Sequence, residues 1–121
     1  ADMSTARWGA GACVLGGRLY VVGGYDDDGD SLSYVERYDD ENDEWEAVVD
    51  MRLARAFAGV CVLGERLYAV GGEEDDDNPV SSVERYDEEK DEWKAVADMS
   101  TARWGAGACV LGGRLYVVQA Q

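Results

Sequence analysis

At 121 residues the chain is the size of one domain, and 46% hydrophobic residues suffice for a packed core. Its 11 Lys and Arg against 26 Asp and Glu leave a formal charge of −15, which makes nucleic acid and anionic membrane poor partners; the absence of His removes imidazole acid–base catalysis, the Ser/His and Cys/His nucleophile pairs and most zinc or copper sites. No basic segment followed by an apolar one opens the chain, and no apolar run reaches the roughly 20 residues of a membrane helix, so a soluble, unexported, cytoplasmic protein is expected.

The first predicted strand, residues 9–15 (GAGACVL), begins with small residues, as suits a strand crowded by neighbours. Residues 15–18 then form a two-residue hairpin on Gly16-Gly17. The later counterpart Gly64-Glu65 keeps glycine only at the first central position, which points to a type II′ turn. Strand two, residues 18–22 (RLYVV), ends at Gly23-Gly24, where a backbone without Cβ takes positive φ or approaches another chain closely. An acidic loop, 25–31, leads to strand three, 33–38 (SYVERY), and the turn 39–43 to strand four, 44–48 (EWEAV). Apart from the acidic segment no connection is long enough for a crossover helix, which excludes α/β folds.

The whole set then recurs. A shift of 48 residues matches 30 of the first 48 positions without a gap, aligning Cys13 with Cys61 and Cys109, Gly23-Gly24 with Gly71-Gly72, and Trp45 with Trp93. A shift of 96 matches all 22 positions of 1–22 to 97–118, so the order is A-B-A, from copying that was recent or deliberate. The pattern is left at Gln119-Ala120-Gln121, where a glycine pair is due. The expected architecture is all-β: one four-stranded antiparallel sheet over 1–48, a second over 49–96, the first hairpin of a third over 97–118, and a tail at 119–121.

Gly23-Gly24 and Gly71-Gly72 after an apolar strand, Tyr38 and Tyr86 in VERYD, and Trp45 and Trp93 seven residues further on resemble the kelch repeat, the four-stranded blade of one class of β-propeller. In wording, LARAFAGVCVLGERLYAVGG and SVERYD look most like the kelch domains of BTB-containing ubiquitin-ligase adaptors. No BTB or linker segment accompanies them, so that role does not carry over. Some kelch propellers carry copper-radical or sialic-acid-processing sites; without His, and without a Cys–Tyr site outside the repeat, no enzyme, cofactor or metal is expected here.

Tyr38, Tyr86, Trp45 and Trp93 recur at fixed places and are expected to pack between adjacent sheets. Trp8 and Trp104 have Ala56 as their counterpart, which leaves a surface or mouth position open. The three cysteines share one inner-strand position and are expected as free thiols. In Asp26-Asp27-Asp28-Gly29-Asp30 an EF-hand register would place Gly24 first and Val35 twelfth, so both key carboxylates fail. Arg7, Arg55 and Arg103 each precede an inner strand. The resemblance implies that arginines there line the mouth and grip acidic peptides, with Tyr25 as a further contact that becomes Glu73 in the second copy. The alternative is that each arginine pairs with a nearby carboxylate such as those of the acidic loop. The scarcity of lysine in so acidic a chain fits either a high-salt cytoplasm or engineered solubility.

Two functions follow as expectations. One is a scaffold, natural or designed, that closes a propeller by homo-oligomerisation, as a trimer for six blades or a tetramer for eight; the other is a module that binds acidic peptides.

Overall fold

The computed structural model describes residues 2–4, 6–75, 78–102, 107–111 and 113–118. Ten strands follow in order: β1 (Gly11–Leu15), β2 (Arg18–Val22), β3 (Val35–Asp39), β4 (Glu44–Val48), β5 (Gly59–Leu63), β6 (Arg66–Val70), β7 (Val83–Asp87), β8 (Glu92–Val96), β9 (Gly107–Leu111) and β10 (Arg114–Val118). β1–β4 form one antiparallel sheet and β5–β8 a second, each in sequence order, and β9 pairs with β10. This is the all-β, blade-like architecture expected. The inner strand β5 lies between β1 and β9. Small residues permit that crowding: a Cβ on Gly11 would stand 2.2 Å from Val60 Cγ2.

The hairpins correct one expectation. Gly16 and Gly17 have φ of 59° and 78°, and Gly64 and Glu65 have 58° and 63°. Both central positions are left-handed, which is the type I′ pattern and not II′. Glu65 therefore holds a conformation that costs a residue with a Cβ about 1–2 kcal/mol. Strand three is also displaced, starting at Val35 because the preceding backbone is used elsewhere. Tyr34 O accepts Gly23 N, and Ser33 O accepts Met51 N.

Register assigns each residue to a face. Cys13, Tyr20, Arg37 and Glu46 lie opposite one another across the first sheet, and Tyr38 opposes Trp45 on the other face. In the second sheet Val62, Leu67, Tyr86 and Trp93 form the row that corresponds to Val14, Leu19, Tyr38 and Trp45. The core lies where the two sheets meet. Tyr20 packs on Tyr86 with ring centroids 5.9 Å apart, beside Leu15, Met51, Leu67 and Trp93. Across the same junction the Tyr20 hydroxyl donates to Glu88 Oε2 at 2.7 Å and Trp93 Nε1 to Val49 O at 3.0 Å.

Candidate functional site

The connection between the sheets is held by an arginine. Arg55 N donates to Leu32 O, and Arg55 O accepts Gly24 N, so the backbone is tied to the first sheet. Its side chain turns to the second. Nη1 donates to Gly71 O at 2.8 Å and Ser82 O at 2.9 Å, and Nη2 to Glu84 Oε2 at 2.7 Å. Glu84 also accepts the N–H groups of Arg52 and Leu53. The glycine pair makes the approach possible: a Cβ on Gly23 would stand 2.2 Å from Arg55 O, and Gly23 and Gly24 have φ of 65° and 104°.

Arg7 repeats the arrangement on Gly23 O, Tyr34 O and Glu36. Burial alone would raise the Glu36 carboxyl, but the Arg7 guanidinium and Ser4 N–H hold it below its ordinary value. Both arginines thus already hold carboxylates of their own chain, Glu36 and Glu84 in VERYD, not those of the acidic loop. Arg55 is 1% exposed, so an acidic peptide gripped there would have to displace Glu84. Arg103 lies outside the described residues.

The loops beside these arginines are aromatic and acidic. Trp8, 55% exposed, lies 4.8 Å from Tyr25 and 5.7 Å from Phe57 between ring centroids. Paired backbone bonds between residues 8 and 25, and between 56 and 73, hold these rings in place. Tyr25 is buried, and its hydroxyl donates to the buried Glu73. Asp26, Asp28 and Asp30 gather nearby, with candidate ligand oxygens within 4.8 Å of one another. Repulsion from Asp26, then burial and the other aspartates, raises the Asp30 carboxyl. Asp26 Oδ1 accepts the N–H groups of Asp28 and Asp30, so its role is to shape the loop. Cys13 is a free thiol. Burial, with Cys61 nearby, pushes the Cys13 thiol up to about 12, which leaves it inert as a nucleophile.

With the sheets and their glycine, tyrosine and tryptophan positions in place, the profile of the Kelch motif matches residues 6–52 and 54–100, more than half of the chain. The chain belongs to the kelch-repeat family. Each kelch match takes in one four-stranded sheet together with the arginine segment before it. Over 48 residues the kelch chain is 42% identical to an F-box/kelch-repeat protein of Arabidopsis thaliana, a stretch covering 40% of this chain and 13% of that relative.

In kelch terms the sheets are blades, and the family's aromatic pair occupies two environments. Tyr86 and Trp93, on the second blade, are buried against the first; Tyr38 and Trp45, on the first, are half-buried. Reasoning from sequence missed Glu36 and Glu84, although each stands 29 residues after its arginine in both copies. It also passed over the row Tyr68, Arg85 and Lys94, whose meaning depends on which face of a blade it occupies.

Proposed function

We propose that this chain is a non-enzymatic kelch scaffold whose copies associate head to tail and close a β-propeller. The observation that carries the reading is the unequal burial of equivalent residues. Leu67 is 0% exposed on the second blade, whereas its counterpart Leu19 is 39% exposed on the first, beside Val14 at 61%. A row that is core in one blade is surface in the other, and a second copy offers it the same cover that the first blade gives the second. Head-to-tail contacts form a ring when the rotation per unit divides the circle. With propellers of about four to eight blades, two blades per chain give a trimer for six or a tetramer for eight.

The proposed division is blade A over 1–48, blade B over 49–96 and a repeated inner hairpin over 97–118. Because 1–22 and 97–118 are identical, two hairpins compete for the place beside strands β3 and β4, one in cis and one from a neighbour. Capture of acidic peptides is the lesser reading, since Arg7 and Arg55 are committed to Glu36 and Glu84. Light scattering on the 121-residue chain, and on a chain lacking residues 1–24, tests the proposal. Trimers or tetramers are expected in both, with only the trans hairpin left to the shorter chain. Two monomers at micromolar concentration would overturn it.

A further inference from the structure

The two blades are not interchangeable at their faces, and the difference lies in charge. On the first blade, the face towards the second carries Tyr20, Arg37 and Glu46 in one row. Arg37 Nε donates to Glu46 Oε1 at 2.6 Å, and Arg18 reaches the same oxygen at 3.2 Å, so Glu46 offsets both arginines. On the second blade the corresponding row is Tyr68, Arg85 and Lys94. The carboxylate has become an ammonium. Among the described residues neither Arg85 nor Lys94 has an ion-pair partner.

The opposite faces differ as well. Inside the chain, Tyr20 donates its hydroxyl to Glu88, in the turn after β7. The first blade has Asp40 at that place, in the turn after β3 and exposed to solvent, with Asp39, Glu41 and Asp43 around it. The second blade's turn includes a lysine, Lys90, where the first has Asn42. The exposed acidic face therefore belongs to the first blade and the exposed basic row to the second. This is the pairing that a contact between chains would bring together and the contact within the chain does not.

We infer that Tyr68, Arg85 and Lys94 of one copy dock on the Asp40 side of the first blade of a second copy, and that the change from Glu46 to Lys94 sets the direction of assembly. The inference rests on head-to-tail closure, and the junction within the chain supplies its geometry. Tyr68 takes the place of Tyr20 and donates to Asp40 as Tyr20 does to Glu88. Val14 and Leu19 gain the cover that Val62 and Leu67 already have. Tyr68, Arg85, Lys94 and Asp40 all lie outside the duplicated residues 1–22 and 97–118, so these polar contacts are the same whichever duplicate hairpin completes the shared blade, whereas the cover of Val14 and Leu19 belongs to the cis hairpin. Opposite charges at such a rim steer encounter and penalise the wrong register even where the chain as a whole is acidic.

Sedimentation velocity on four chains tests it: wild type, Lys94→Glu, Asp40→Lys, and the two substitutions combined. Both positions are exposed, and circular dichroism checks that each variant retains the wild-type fold. Each single reversal is expected to raise the dissociation constant several-fold, up to about tenfold, and to remove most of its salt dependence, and the combined exchange is expected to restore association. A wild type that stays monomeric would overturn head-to-tail closure and this inference with it. A wild type that assembles while both reversals leave its dissociation constant unchanged, or single losses that the exchange fails to restore, would overturn the charge-directed contact and leave closure standing.

Discussion

Substituting Arg55 by Ala separates the two roles that an arginine at the mouth of a kelch blade can play. In this chain it removes three hydrogen bonds, two to the carbonyls of Gly71 and Ser82 and one to Glu84. It also leaves the buried Glu84 without its counter-charge. Breaking a buried ion pair from one side costs about 3–5 kcal/mol, because the remaining charge stays desolvated. Folded domains have a total stability of about 5–15 kcal/mol, so a large share should be lost. Since the Arg55 backbone is bound to the first blade and its side chain to the second, the loss should weaken their junction. Urea denaturation, read by tryptophan fluorescence, gives the value. Glu84→Gln keeps the shape but only one of the two acceptor oxygens, so it still accepts from one side while the other N–H group loses its partner. It should cost less than Arg55→Ala, about 1–3 kcal/mol. Arg55→Met combined with Glu84→Leu removes both charges and should recover part of the loss, since the backbone groups of Gly71, Ser82, Arg52 and Leu53 that the pair served are left without partners. A loss below about 1 kcal/mol for Arg55→Ala, together with abolished capture of a Glu-rich peptide, would refute the reasoning and return Arg55 to a ligand site.

Three further expectations follow from particular contacts. Trp93→Ala should destabilise the protomer by about 3–5 kcal/mol in thermal or urea unfolding, because Trp93 is buried at the junction; Trp45→Ala should cost the protomer much less and appear chiefly as weakened association in sedimentation. Glu65→Gly should raise stability by up to about 1 kcal/mol in urea, since glycine accepts the left-handed conformation that Glu65 holds at φ 63°. The pH profile of the melting temperature should fall at both ends. Glu36, held below the usual 4.5, contributes stability above that pH that is lost as the pH drops through its folded value. Tyr20 and Tyr86, raised above 10.0 chiefly by burial, contribute stability below pH 10 that is lost as the solution becomes more alkaline.

The fold was legible in the sequence because a gapless 48-residue repeat fixes strand number, spacing and turn positions together. Glycine pairs at 23–24 and 71–72 mark where the connecting segment passes, and the structure brings the carbonyl of Arg55 against Gly23. The turn type was not legible: glycine at the first position and Glu65 at the second favours II′ by residue preference, yet the twist of β5 and β6 fits the I′ geometry that Glu65 adopts. The site was only partly readable. A residue type before an inner strand places Arg55 near the mouth but not the direction of its side chain. The direction follows from the buried Glu84, a partner 29 residues away in sequence. The aromatic mouth was half visible, since Trp8 is read as free of deep core, but Phe57 stands where the first copy has Gly9 and joins Trp8 and Tyr25 only through the backbone pairing of the loops.

Native mass spectrometry of the 121-residue chain at micromolar concentration tests the central claim most directly. Closure by head-to-tail association predicts a single dominant species at three or four times the 13.2 kDa chain mass, without a ladder of open oligomers. A spectrum dominated by monomer, or an unbroken ladder that lengthens with concentration, would contradict it.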